Sequence, residues 1–292
     1  MYELINAKGN SYYIESPAKV GLYRLNETEV CLIDSGSDKD AGKKIQKILA
    51  ANGWTLKFII STHSNADHVG GCRLLCDRLG CTVYTTPMEG AVNRFPVLEP
   101  TMLYGGYPMK ALRNKFLMAQ SCPGEDIAGA PLPEGMEIIK LGGHFLDMIG
   151  VKTPDGVYYL ADCLSGANIV EKYHVNFIYD VREYLQTLDC VEGLGEGIFI
   201  PAHAEMTTDI RPLIEINRAK VREIIAYLIE LTRAPKSPEE IQAAVFEHYG
   251  LEMNMNQYVL VGSTLRSYMA YLADENMVSF TFENGRLMWQ AM

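Results

Sequence analysis

Five short apolar runs in this chain each stop at a residue able to ligate a metal or carry a proton. Residues 30–34 (VCLID) end at Asp34, 57–63 (KFIISTH) at His63 and 138–144 (IIKLGGH) at His144, while 157–162 (VYYLAD) end at Asp162 and 198–203 (IFIPAH) at His203. Runs of about four to eight apolar residues rich in Val, Ile and aromatics, bounded by Gly, Pro or Asp, read as buried strands. Strand ends share an edge when their strands share a sheet or a pair of stacked sheets. The pattern therefore constrains the chain to bring imidazoles and carboxylates into one cleft along the edge of a sheet sandwich.

The segments between these strands support that reading. After the strands GLYRLN and EVCLIDSG comes KDAGKKIQKILAANG, which carries Ile45, Ile48 and Leu49 on one helical face and stops at Gly53, so the unit is strand, helix, strand. Pro154, Asp155 and Gly156 make a turn between MIGVKT and VYYLAD. Residues 88–135 have no clean periodicity and an excess of Tyr, Met and Leu, the texture of a lid-like insertion. Within it Tyr104, Tyr107, Arg113 and Lys115 are candidates to cover the cleft and touch substrate.

Beyond residue 208 the texture changes. Residues 209–236 read as a helical linker, and 237–292 as a small winged-helix-like domain. Ser237 is its N-cap with Glu240 three residues on; Tyr258, Val261, Leu265, Tyr268 and Leu272 form a second helical face; and Asn284-Gly285 is the pair suited to a type I′ hairpin turn. His248 shares the apolar stripe of the first helix and reads as structural.

Composition excludes several classes. Hydrophobic residues at 48% and charged residues at 21% of 292 describe a globular protein, neither disordered nor fibrous. A net charge of −10 opposes phosphate-backbone binding, and residues 237–292 hold two basic side chains against seven acidic ones, a balance of −5 on the module that would meet nucleic acid. No apolar stretch is long enough to span a bilayer, and the N-terminus has no secretory pattern, so the chain is expected to be cytoplasmic with no membrane partner. Seven cysteines are an odd, scattered set and read as reduced thiols. Cys72 and Cys76 lie one helical turn apart and read as a core face, and Cys163 should point away from Asp162, its neighbour.

The chemistry concentrates in STHSNADHVGG, where His63, Asp67 and His68 fall on a strand-to-helix turn and Gly70-Gly71 lets a helix begin close against them. Imidazole with carboxylate suits zinc or iron. His144 and His203 lie in strand-end turns of the same kind, and His174 is a weaker candidate to line the cleft.

With Asp34, then His63, Asp67 and His68, then His144, Asp162 and His203 in this order over residues 10–208, the sequence resembles the metallo-β-lactamase superfamily of metal-dependent hydrolases. The resemblance implies a four-layer αββα sandwich over residues 1–208, the site along one edge, with a small winged-helix-like tail known in several branches. It also implies that His63 and His144 face one metal, that Asp67, His68 and His203 face a second, that Asp162 bridges them, and that Asp34 orients a ligand histidine. One departure matters: Asn65 stands where the usual motif has histidine. Two readings stay open, drift toward one metal or none, and a hydrogen bond from Asn65 to a substrate carbonyl. The expected cofactor is Zn²⁺, one ion tight and the second weak or absent, with iron or manganese as alternatives.

The implied function is hydrolysis of a small ester, thioester or lactone by a metal-bound hydroxide, with Asp67 and Asn65 as the catalytic side chains. A metal-dependent nuclease or phosphodiesterase, an iron-containing oxidoreductase, and a catalytically weakened metal-binding protein are the alternatives. Expected partners are a small-molecule substrate and a second copy of the chain, with no nucleic acid.

Overall fold

The computed structural model describes residues 2–292. A seven-stranded sheet runs in chain order through β1 (Glu3–Lys8), β2 (Ser11–Glu15), β3 (Val20–Arg24), β4 (Glu29–Ile33), β5 (Thr55–Ile60), β6 (Thr82–Thr85) and β7 (Glu125–Asp126). The first four strands are antiparallel, and from β4 onward the pairing is parallel. Parallel pairing needs a crossover. Helix α1 (Lys39–Ala51) crosses from β4 to β5, and α2 (Ala66–Val69) with α3 (Cys72–Leu79) crosses from β5 to β6. Asp38 starts α1 by accepting from the N–H groups of Asp40 and Ala41, and its buried stripe is Ala41, Ile45 and Leu49 at a spacing of four. The third crossover contains α4 (Pro87–Arg94) and α5 (Leu98–Tyr104), so the insertion is partly helical.

The second sheet has the order β11-β10-β9-β8, built from β8 (Glu137–Lys140), β9 (Ile149–Lys152), β10 (Val157–Tyr159) and β11 (Ile198–Ile200). Between β10 and β11 lie α6 (Ala167–Tyr173) and α7 (Val181–Glu192), and α8 (Arg211–Leu231) follows. The inner faces of the two sheets meet through Ile33, Phe58 and Ile60 from one and Val151, Tyr159 and Ile200 from the other. At Gly21 a Cβ would fall 2.7 Å from the Tyr159 ring, so glycine is what lets the sheets approach there; the Tyr159 hydroxyl then donates to Tyr12 O at 2.6 Å. On the outside, Leu32, Leu56 and Ile59 of the first sheet pack against Ile45, Leu49 and Leu75 of α1 and α3. Tyr158 and Phe199 of the second sheet share a cluster with Leu188 of α7 and Ile214 and Val221 of α8. The layers are therefore helix, sheet, sheet, helix.

Residues 209–236, read from sequence as a linker, are mostly α8, and α8 belongs to the outer helical layer. Ile214, Val221, Ile224 and Leu228 are each at most 2% exposed, and burial of such side chains is worth about 1.5–3 kcal/mol apiece. The tail consists of α9 (Pro238–His248), α10 (Met255–Asp274) and the hairpin β12 (Val278–Glu283) with β13 (Arg286–Ala291). Ser237 and Glu240 form the reciprocal capping box of α9. Asn284 and Gly285 both have positive φ, as a type I′ turn requires. Val245, Leu265, Tyr268 and Leu272 of the tail join the same buried cluster as α7 and α8, and Val259 of α10 packs against Leu103, Leu112 and Leu117 of the insertion. Among the described residues no helix is long and apolar enough to cross a membrane.

Candidate metal centre

The loops after β4 and β5 are held together first. Asp34 N–H donates to Ile60 O at 2.8 Å, and Ser35 N–H donates to His68 O at 2.7 Å. A Cβ on Gly70 would fall 2.3 Å from the Ser37 backbone, and one on Gly71 would fall 2.3 Å from Ser35 O. Both positions exclude every larger residue, and so α2 and α3 start directly beside the Asp34 loop.

Asp34 then sets the protonation of two imidazoles. Its carboxylate accepts from His68 Nδ1, from Thr62 Oγ1 and from Thr62 N–H, each at 2.8 Å. Because the Thr62 hydroxyl gives its hydrogen to Asp34, it accepts from His63 Nδ1 at 3.0 Å. Both rings consequently carry a proton on Nδ1 and turn Nε2 toward the cleft floor, where it is free to ligate once any proton on it is displaced. His144 and His203 reach the same state through carbonyls, His144 Nδ1 donating to Phe177 O and His203 Nδ1 to Pro17 O, each at 3.0 Å.

Four Nε2 atoms therefore converge on Asp162 and Asp67. His68 Nε2 lies 3.0 Å from Asp162 Oδ1, and His203 Nε2 lies 3.3 Å from both Asp67 Oδ2 and Asp162 Oδ2. His144 Nε2 lies 3.6 Å from Asp162 Oδ2. The potential ligand atoms form two groups, Asp67 with His68, Asp162 and His203, and His63 with His144 and Asp162, each group mutually within 4.8 Å. Asp162 is common to both. His63 Nε2, His68 Nε2 and Asp162 Oδ1 are buried with no hydrogen-bond partner. With the rings neutral these are buried acceptors aimed at one another, which is costly; either protons on the imidazoles or a divalent cation relieves it, and only the cation satisfies all of them at once. The donors, neutral imidazole and carboxylate, fit such an ion.

The electrostatics run the same way. Asp162 and then burial act oppositely on His203, and Asp162 prevails, holding its imidazole up at about 10. Burial opposes charge on His68, but Asp162, Asp67 and Asp34 outweigh it and keep that ring well above its ordinary value. Burial alone would raise Asp67, yet His68 and His203 bring its carboxyl down to about 2. His63, buried and next to His68, falls well below its usual value. Without an ion, protons on His68 and His203 neutralise the carboxylates; an ion displaces them.

Two glutamates that the sequence reading did not single out complete the surroundings. Glu89 of α4 accepts from Ser64 N–H at 2.9 Å, from Ser64 Oγ at 2.6 Å and from Asp147 N–H at 2.9 Å, so one buried carboxyl ties the histidine motif to the loop after His144. Glu99 of α5 accepts from Asn65 Nδ2 at 3.1 Å, while Asn65 Oδ1 faces His144 Nε2 at 3.1 Å. Burial, with Asp67 adding to it, pushes the Glu99 carboxyl well up. Each is a lone Glu in a segment without periodicity, and nothing local distinguishes it from a surface residue.

Above the ligand cluster is a cleft in two adjoining parts, about 170 Å³ around Asn65, Glu99, His144 and Asp162, and about 440 Å³ bounded by Ser37, Lys115, Tyr173 and Gln257. Asp67, Phe116, Phe177 and Leu260 line both. Gln257 and Leu260 come from α10, so the tail forms one wall. Of the insertion candidates, Lys115 lines the cleft, but Tyr104 and Tyr107 do not. Both are exposed, and the Tyr107 hydroxyl accepts from Arg113 at 2.8 Å. His174 is also away from the cleft lining, its ring stacked on Tyr249 at 4.9 Å. Cys163 is fully buried in the core under the second sheet, on the side away from the ligands. Cys72 faces the helix–sheet core with Cys76 packed at its margin.

An αββα sandwich with a histidine and aspartate cluster at one sheet edge defines a fold that carries the donor set for a divalent metal. The chain belongs to the metallo-beta-lactamase superfamily, whose family model matches residues 9–203. A beta-lactamase domain protein from Burkholderia ambifaria has a similar structure, with a TM-score of 0.73 at 15% identity, over 99% of this chain and 94% of that one. A metallo-beta-lactamase family protein from Thermus thermophilus superposes with a TM-score of 0.71 at 17% identity, over 100% of this chain and 98% of that one. A metallo-beta-lactamase from Pontibacter korlensis covers 76% of this chain and 99% of its own, with a TM-score of 0.58 at 13% identity. At these identities the likeness is one of fold, and in the first two it extends through the tail.

Proposed function

We propose that the protein is a metal-dependent hydrolase of small esters, thioesters or lactones carrying an apolar group. The observation that carries this reading is the meeting of unpartnered acceptors His63 Nε2, His68 Nε2 and Asp162 Oδ1 with a cleft whose walls are Phe116, Phe177 and Leu260. Asp67, His68, Asp162 and His203 would hold the tighter ion, and His63, His144 and Asp162 the weaker one. A zinc ion so held supplies Lewis acidity and brings the pKa of water from about 15.7 to about 7.

The chain's own residues do the rest. Phe116, Phe177 and Leu260 exclude water from the reacting group and take the apolar part of the substrate. Asp34 keeps Nδ1 of His68, and through Thr62 that of His63, protonated, so neither imidazole turns its lone pair away from the floor. Asp67, with its side chain 43% exposed and one oxygen 3.3 Å from His203, faces the cleft and would accept a hydrogen bond from the attacking water, orienting it. Lys115, the cation of the larger compartment, would meet an anionic substituent of the substrate. The −5 balance of residues 237–292 argues against a nuclease, since a module that grips a phosphate backbone carries a positive surface.

The test is a panel of acyl esters, thioesters, lactones and phosphodiesters given to zinc-loaded protein. Turnover of a carboxylic ester, thioester or lactone that disappears in Asp67→Asn is expected. Preference for phosphodiesters, or turnover unaffected by Asp67→Asn, would overturn the proposal.

A further inference from the structure

We infer that Asn65 Oδ1 is the third protein donor of the weaker ion position, and that Glu99 is the positioning residue that holds the Asn65 amide in its ligating orientation. This rests on the reading of the cluster as a metal centre and goes beyond the three-residue group His63, His144 and Asp162. The starting point is a mismatch. His144 Nδ1 is committed to the Phe177 carbonyl, which only accepts, so Nε2 is an acceptor; yet 3.1 Å away it faces another acceptor, Asn65 Oδ1. A proton shared between those two atoms would settle that pair alone. His63 Nε2, buried and without a partner, would remain unmatched, with Asp162 Oδ2 a further 3.6 Å from His144 Nε2. A cation satisfies all four. Donors that share a tetrahedral ion at about 2.1 Å lie roughly 3.4 Å apart, close to the Asn65 and His144 separation.

An amide has two ends of nearly equal size, and only its hydrogen bonds decide which end points where. Glu99 decides it here. Its Oε1 accepts from Asn65 Nδ2 at 3.1 Å; with the amide turned over, the NH₂ group would point at the ion and only a protonated Glu99 could still hold the amide. This also accounts for a carboxyl that is 5% exposed on a helix of the insertion. Asp34 fixes His68 in the same way and His63 through Thr62, so the weaker position is oriented by two carboxyls, Asp34 on the sandwich and Glu99 on the insertion. Asn65 is a neutral ligand, weaker than the imidazole it replaces, so the two ions should bind unequally.

The experiment is an equilibrium titration of metal-free protein with Zn²⁺ against a chromophoric chelator, for wild type, Asn65→Leu, Glu99→Leu, Glu99→Gln and the double leucine variant, each checked for cooperative thermal unfolding. Wild type should take two ions of unequal affinity. Asn65→Leu and Glu99→Leu should each keep the tight ion and weaken the other at least about tenfold, in the range by which groups that orient a ligand act. The double variant should be no weaker than Asn65→Leu. Glu99→Gln, whose carbonyl can still accept from Nδ2, should stay within about threefold of wild type, which a merely structural carboxyl would not predict. A single ion in wild type, two unaltered ions in Glu99→Leu, or equal losses in the leucine and glutamine variants would overturn the inference. Because the titration reads metal alone, a negative substrate panel with both ions bound would sink the proposed activity and leave this assignment standing.

Discussion

Asp34→Asn is the most informative single change at the ligand cluster. Position 34 has φ of +66°, a region that asparagine tolerates, so the backbone adds no strain to the comparison. The carboxylate now accepts three hydrogen bonds at 2.8 Å, two on Oδ2 from His68 Nδ1 and Thr62 Oγ1 and one on Oδ1 from Thr62 N–H. An amide keeps one acceptor oxygen. Placed at the two-donor position, it leaves Thr62 N–H against an NH₂ group, at about 1–3 kcal/mol for a buried unpaired donor. For 292 residues, with an unfolding entropy near 2.1 cal/mol/K per residue, that lowers Tm by about 2–5 °C. Placed the other way, the amide donates to His68 Nδ1 and moves that ring's proton to Nε2, which removes a ligand. Zn²⁺ affinity, read by chelator competition, should therefore fall about 10–100-fold. Affinity within threefold of wild type together with an unchanged Tm in a folded Asp34→Asn protein would refute the assignment of His68 tautomer and with it the orienting role of Asp34.

Three further outcomes follow. His203, held up at about 10, and His68, raised likewise, bind protons more tightly folded than unfolded, so their stabilisation is complete below about pH 6.5 and is lost as pH rises toward 10; calorimetry should show the metal-free Tm falling over that window and the zinc-loaded Tm falling less, and equal slopes would contradict the cluster's electrostatics. Leu260→Trp, on the α10 wall, should raise KM for any accepted substrate several-fold while leaving Zn²⁺ stoichiometry at the wild-type value, whereas an unchanged KM would show that the tail does not bound the substrate site. Duplex DNA and RNA should bind with no measurable affinity at low salt, since the tail's balance is −5; micromolar binding that weakens steeply with salt would revive the nuclease reading.

The histidine and aspartate cluster was legible because most of its members end apolar runs, with Asp67 and His68 in the turn just after His63, and strand ends in a sandwich have nowhere to go but the shared edge. Asp34, His63, Asp162 and His203 needed no more than that pattern. Glu89 and Glu99 were not legible, since their meaning lies in which loops the insertion crosses: Glu89 joins Ser64 to Asp147, and Glu99 meets Asn65 across 34 residues of sequence. The role of α8 was ambiguous for a different reason. An amphipathic helix between two folded units looks alike whether it spans them or is packed on one, and only the burial of Ile214 and Leu228 decides. Tyr104 and Tyr107 were attractive as exposed aromatics of a lid, but the apolar cover of the cleft comes instead from Phe116, Phe177 and Leu260, the last of these from the far end of the chain. Aromatic content marks a segment that packs; it does not say against what.

The central claim is that Asp67, His68, Asp162 and His203 hold a divalent metal. Elemental analysis of the protein purified without added metal and passed through a weak chelator, in parallel with folded His68→Ala, tests it most directly. At least one equivalent of zinc, iron or manganese per wild-type chain, and less than about a tenth of that in His68→Ala, is the predicted result, because losing one of the protein's ligands costs most of the affinity of such a site. No bound metal in wild type, or the same content in both proteins, would contradict it.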